Sequence, residues 1–261
     1  MEQYHLHTPD GVQDYLPVEC YHKRQLEAEV RRTFRAWGYR EIEPGIMEYL
    51  DVFTNAVSAF PQEAMVKFCD AQGRLLVLRP DITTPTARLA ATRLREESLL
   101  RLCYLGNSFH FAAEALAAGQ REFTQMGVEL MGLEGPEADA EVIALAISAF
   151  QQIGLEGFQI DIGQVEFFKG LAEEAGLKAE EIEELRRLVE QKNLLGMEMF
   201  MGKAQIAPEV RNRILELPTL YGGWEVLDVA RAYSDNARCR EAVAYIDEVL
   251  GILADYGLEE F

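Results

Sequence analysis

The sequence predicts an α+β fold, a mostly antiparallel sheet with helices packed on it, followed by a helical C-terminal region. Three observations carry this prediction. Short apolar runs bounded by turn residues recur between residues 40 and 131, helical periods flank them at residues 19–37 and about 137–153, and beyond Gln164 only helical periods remain. The expected division is a first domain over residues 1–164 and a helical region over residues 165–261.

Residues 19–37 place Leu26, Val30, Phe34 and Trp37 at helical spacing, and Gly38 follows as a stop. REIEP, residues 40–44, reads as a short strand closed by proline, and KFCDAQGRLLVLRP, residues 67–80, as a hairpin around a polar turn. Asp81 is placed to cap the next helix, ITTPTARLAATRLR, with Pro85 in a first turn where its missing N–H costs little. Strands are expected at about 101–105, 107–112 and 122–131, then the helix at 137–153 and a strand FQIDIG, residues 158–163. In the C-terminal region the helical periods are broken by Gly176, Gly196, Pro208, Pro218 and Gly222-Gly223. Its acidic run AEEIEELRRLVEQK reads as a solvated helix face with charge pairs three and four residues apart.

Composition narrows the function classes. The 261 residues hold 44 acidic and 25 basic side chains, a formal net charge of −19, and such an average field repels phosphate backbones, so no nucleic acid partner is expected. No apolar run approaches the roughly 20 residues of a membrane-spanning helix. The first thirty residues mix charges with aromatics instead of forming a signal-peptide block, and the expectation is a cytoplasmic protein with no membrane contact. Cys20, Cys69, Cys103 and Cys239 are scattered without a CxxC pair, which predicts reduced, mostly buried thiols. Phosphate-loop, dinucleotide-loop, HExxH and GxSxG spacings are absent and His5-Leu6-His7 lacks a further ligand, so neither a metal nor a cofactor is expected.

What remains is a set of polar residues inside apolar patterns: Asp81, Thr83, Gln125 and Glu129. In REFTQMGVEL, strand alternation puts Gln125 and Glu129 on one face with Gly127 between them. Glycine there leaves room for a ligand against the sheet, an amide binds a donor or an acceptor, and a carboxylate holds an ammonium or imidazole nitrogen. Arg121 and Gly127 are candidates for the pocket edge. The same pattern also describes a face turned to solvent, an ordinary helix cap at Asp81, a first-turn residue at Thr83 and a plain strand residue at His110; pattern alone does not choose.

TPDGVQDYLPVE (8–19), GYREIEP (38–44), LLVLRPDIT (75–83) and QREFTQMGVELMG (120–132), in that order, resemble the catalytic core of histidyl-tRNA synthetase, a class II aminoacyl-tRNA synthetase fold. The resemblance implies that Asp81 and Thr83 contact histidine, that Gln125 and Glu129 hold the amino acid, and that GYREIEP builds a homodimer interface. It also exposes departures. Active members carry a Phe-Arg-x-Glu pattern whose arginine grips the ATP phosphate, whereas this sequence reads Phe109-His110-Phe111-Ala112. A short, mostly neutral imidazole cannot replace a permanently charged fork, so adenylation is expected to be lost or severely weakened. The loop AAEALAAG, residues 112–119, lacks the usual charged groups, and its Glu114 would repel phosphate. The sequence ends at Phe261, before the family's Arg-Gly-Leu-Asp-Tyr-Tyr segment, third motif and anticodon-binding domain. Either the gene continues or the pocket lacks a wall.

With the helical stretches IDIGQVEFFKGLAEEAGL, QKNLLGMEMF and YGGWEVLDVARAY, nearly the whole chain resembles the family of regulatory subunits of ATP phosphoribosyltransferase, the first enzyme of histidine biosynthesis. That resemblance implies a non-catalytic subunit of a glycosyltransferase complex, assembled with the short-form catalytic subunit, activating it and conferring inhibition by L-histidine as effector. A retained pocket would then act by population shift, with reciprocal coupling between histidine and the catalytic subunit's substrates. The alternative reading is a histidyl-tRNA synthetase fragment or paralogue with residual aminoacyl-adenylate chemistry.

Overall fold

Pro17 stands at the start of α1 (Pro17–Ala36), where a missing N–H is no loss, and Glu19 reaches back to accept the Leu16 N–H at 2.9 Å. Gly38, with φ of +83°, ends the run and turns the chain into the sheet. The computed structural model describes residues 6–54, 61–111, 120–203, 206–233 and 236–259. His5 and residues 112–119, Ala112 and Glu114 among them, lie outside the described residues. The chain divides into two compact units, Met1–Phe158 and Gln159–Phe261.

In the first unit α1 is followed by β1 (Arg40–Glu41), β2 (Met47–Tyr49), α2 (Leu50–Thr54), β3 (Lys67–Cys69), β4 (Leu75–Leu78), α3 (Thr83–Arg93), β5 (Leu100–Phe109), β6 (Glu122–Met131) and α4 (Pro136–Gln152). Where the sequence suggests one sheet, the described residues form two of three strands each, β1-β5-β6 and β2-β4-β3. They meet where Phe109, the last residue of β5, donates its N–H to the Arg79 carbonyl at 2.9 Å, just past the end of β4.

β5 and β6 form an antiparallel ladder from Leu100↔Met131 to Phe109↔Glu122, and β1 adds to β5 in parallel. The strands expected at 101–105 and 107–112 are therefore one, and Gly106 does not interrupt them. The buried Arg79 side chain lies across Gly106, where a Cβ would collide with its guanidinium; the glycine clears space for a neighbour and leaves the backbone ladder intact. REIEP contributes only two residues of strand. Ile42 still donates to the Cys103 carbonyl at 2.9 Å, but Pro44 has no N–H to extend the pairing.

α1 and α4 cover one face of the larger sheet. Val30, Phe34, Tyr39, Cys103, Leu145 and Ala149 form its core, with Met126, Val128 and Leu130 of β6 packed against them. Burying each large apolar side chain contributes about 1.5–3 kcal/mol. This fixes the facing of β6 as alternation predicts, leaving Phe123, Gln125, Gly127 and Glu129 on the opposite face. Within the core, the Tyr39 hydroxyl donates to Glu141 at 2.9 Å, while Arg101 grips the same carboxylate with two bonds of 2.9 and 2.8 Å. Tyr39→Phe is expected to lower stability by about 1–2 kcal/mol, because Glu141 keeps its arginine; urea unfolding measures it, and no change would contradict the assignment.

The second unit consists of α5 (Val165–Glu174), α6 (Ala179–Glu190), α7 (Leu194–Lys203), α8 (Pro208–Glu216), α9 (Glu225–Tyr233) and α10 (Ala237–Asp255). Phe167, Leu171, Leu185, Met197, Ile214 and Val243 lie in its core. FQIDIG is not a strand: a strand needs a partner edge, and this segment pairs with none among the described residues. Cys103 and Cys239 are buried as expected, whereas Cys69 is exposed and Cys20 half-buried. Among the described residues no helix is long and apolar enough to cross a membrane.

Candidate functional site

The site is assembled where α3 begins, against the face of the β5-β6 ladder left free by α1 and α4. Asp81 caps α3: its Oδ1 accepts the Thr84 N–H at 2.7 Å and its Oδ2 accepts the Thr84 hydroxyl at 3.3 Å. The capped turn aims the Ile82 N–H at Gln125, whose Oε1 accepts it at 3.0 Å and accepts the Ser108 hydroxyl at 3.0 Å. Two donors on the oxygen settle the orientation of the amide. The Gln125 NH2 has no partner among the described residues and is the group left to meet a ligand, a donor and not an acceptor.

Thr83, the first residue of α3, places Oγ1 3.1 Å from the Tyr104 hydroxyl, which donates to Glu129 Oε1 at 3.2 Å. Both hydroxyls favour the ionised carboxylate: the phenol donates to it, and Thr83 lies within hydrogen-bond reach of the phenol and acts on Glu129 as well. Burial holds the Glu129 carboxyl above the ordinary glutamate range, with the negative charge of Asp81 adding to it and the two hydroxyls opposing it. Burial likewise pushes the Tyr104 phenol up to about 12, so it remains a donor at neutral pH. Neither Asp81 nor Glu129 has an ion-pair partner among the described residues. The site thus offers N–H donors at Gln125 and unneutralised acceptors at Glu129 and Asp81, an arrangement suited to a small ligand that carries an acceptor at one point and a cationic or N–H group at another.

Asp81, Thr83, Gln125 and Glu129 are thereby brought together: Asp81 is buried, Thr83 exposed, and the β6 face that carries Gln125 and Glu129 is half-buried, not the open solvent face that alternation also allowed. Gly127 differs from expectation. The gap above it holds the Tyr104 ring, directly opposite in the ladder; a Cβ on Gly127 would lie 2.5 Å from the phenol oxygen and 2.6 Å from Cζ. Arg121 points elsewhere, its guanidinium 5.4 Å from the centre of the exposed Phe111 ring, and no contact joins it to the other four. Tyr104 and Ser108 were missed. Their signal lies in the register, which pairs Tyr104 with Gly127 and Ser108 with Phe123 and which strand alternation alone does not set.

His110 is only 3 % exposed, its ring edge-on to Phe123 with centroids 5.1 Å apart. Burial depresses its imidazole below the ordinary histidine value, so it is uncharged at neutral pH. No positive charge is delivered from this position.

A family model described as histidyl-tRNA synthetase matches residues 11–260. The chain belongs to the histidyl-tRNA synthetase family. Within that family it is 48% identical over 263 residues to the ATP phosphoribosyltransferase regulatory subunit of Acetivibrio thermocellus and 47% identical over 262 residues to that of Ruminiclostridium cellulolyticum. All of this chain is matched in both cases and 62% of each relative, so the chain spans less than two thirds of these curated relatives. A crystal structure described as an ATP phosphoribosyltransferase regulatory subunit/histidyl-tRNA synthetase from Bacillus halodurans matches with a TM-score of 0.90 at 31% identity, over 100% of this chain and 68% of that one. The family read from TPDGVQDYLPVE, LLVLRPDIT and QREFTQMGVELMG is borne out, and so is the α+β, class II synthetase-like fold with its helical C-terminal region.

Proposed function

We propose that this member of the histidyl-tRNA synthetase family is a non-catalytic regulatory subunit of ATP phosphoribosyltransferase, acting with the short-form catalytic subunit in histidine biosynthesis and sensing L-histidine through Asp81, Thr83, Gln125 and Glu129. The observation that carries this reading is a pairing of one intact feature with one absent one. The acceptor and donor groups that would hold an amino acid are converged and pre-oriented by hydrogen bonds, while the position of the phosphate-gripping arginine is taken by a buried, uncharged His110. Transfer of a phosphoryl-linked group needs fixed positive charge where negative charge develops, and an imidazole packed against Phe123 supplies none. The names of the relatives at 48% and 47% identity support the same role.

Imidazole and ammonium are the parts of histidine that Glu129 and Asp81 would hold, and its carboxylate is an acceptor for the Gln125 amide. A conformational response follows if histidine binds one arrangement of the complex better than another; its size is bounded by that difference in affinity. Homodimerisation through the segment Gly38–Pro44 belongs to the same proposal.

The alternative, a synthetase paralogue that still forms an adenylate, is separated by one assay. Histidine-dependent pyrophosphate exchange is expected to be at background, and a robust signal that survives His110→Ala would overturn the reading.

A further inference from the structure

Tyr104 is a residue that neither the sequence pattern nor the relatives' names single out. It is 4 % exposed, lies across Gly127, and its hydroxyl connects Thr83 at 3.1 Å to Glu129 at 3.2 Å. We infer that Tyr104 is the positioning residue for Glu129: the phenol, clamped over Gly127 and flanked by the Thr83 hydroxyl, holds the carboxylate in its ligand-reading orientation and in its ionised form. The importance of this for histidine rests on the function proposed above; the effect on Glu129 itself does not.

Three features of the geometry argue for a positioning role over simple packing. Gly127 is the only residue type that leaves room for the phenol, since a Cβ would fall within 3 Å of Cζ, Cε2 and the hydroxyl oxygen together. Leu102, opposite Glu129 in the ladder, is apolar and offers the carboxylate no bond. Among the described residues the titratable groups that face Glu129 are Asp81, ahead of α3, and Tyr104, on β5; one repels the ionised form and the other donates to it. With the repulsive partner fixed by its capping bonds to Thr84, the phenol and Thr83 are what favour the charged form.

The test is a carbon-13 NMR titration of Glu129 in the protein and in Tyr104→Phe, which keeps the ring and removes the donor, with histidine calorimetry at pH 7 on the same samples. The Glu129 midpoint is expected to move to higher pH in Tyr104→Phe and histidine affinity to fall about ten-fold, the effect of losing one hydrogen bond to a charged group. Thr83→Val is expected to shift the midpoint the same way, and Thr83→Ser to restore it, which distinguishes hydroxyl bonding from packing. An unchanged midpoint in Tyr104→Phe overturns the inference. Absence of histidine heat in the unmodified protein contradicts the histidine-sensing proposal instead, and the titration still decides the role of Tyr104.

Discussion

Glu129→Gln is expected to weaken histidine binding about 100-fold while raising the melting temperature of the unliganded protein at pH 7 by about 2 °C. The two effects share one cause. Ionised Glu129 is desolvated, has no ion-pair partner among the described residues, and feels the charge of Asp81, so it keeps its proton to higher pH than a glutamate in the unfolded chain does. The native state therefore binds more protons than the unfolded state between the ordinary glutamate value and the raised one, and stability falls as pH climbs through that window and stays lower above it. Glutamine accepts the same Tyr104 bond without the charge. Its advantage should be present at pH 7 and vanish below the ordinary glutamate value, where both side chains are neutral. A ligand with a cationic or N–H group removes the strain of the lone carboxylate, which is why the same substitution costs affinity. Thermal unfolding at pH 7 and pH 4, with calorimetry at pH 7, checks both halves. A lower melting temperature at pH 7, or undiminished binding, contradicts this account of the site.

Arg79→Ala is expected to destabilise the first unit by about 3 kcal/mol and lower its melting temperature by about 6–12 °C. Arg79 is 2 % exposed and ties three segments together. Its Nε donates to the Asn107 carbonyl at 2.9 Å, its Nη1 to the Pro44 carbonyl at 2.6 Å, and its own carbonyl accepts the Phe109 N–H. Removing the guanidinium orphans two carbonyls and leaves a void against Gly106. Burial lowers the guanidinium from its usual value, offset by Glu43 and Glu48, yet arginine stays charged at any working pH. Arg79→Lys should recover only part of the loss, because a single ammonium cannot span both carbonyls. A melting temperature within a degree of the unmodified protein would contradict the role assigned to Arg79.

How much was legible in the sequence depended on whether local chemistry or register decided the outcome. α1 was read to within two residues at each end because helical spacing and Gly38 both act locally. The facing of Gln125 and Glu129 followed from strand alternation, and the capping bond of Asp81 from its place before an apolar helical period. Gly106 was misread because a glycine in a strand has the same local signature whether it ends the strand or admits a neighbour; only Arg79, 27 positions away in sequence, distinguishes the two. Gly127 was misread for a related reason. Its gap was visible, but its occupant, Tyr104, is set by a register that strand alternation alone does not fix. The way the two sheets meet likewise depends on single backbone bonds, such as that from Phe109 to Arg79, which no periodicity encodes.

The central claim, a histidine-sensing subunit that has lost adenylation and works through a catalytic partner, is tested most directly by reconstitution. The protein is mixed with a short-form ATP phosphoribosyltransferase catalytic subunit, and phosphoribosyl transfer is assayed with and without L-histidine, alongside gel filtration of the mixture. The prediction is co-elution, transfer activity well above that of the catalytic subunit alone, and suppression of that activity by histidine that is relieved in Glu129→Gln. Separate elution with activity unchanged by this protein would contradict it.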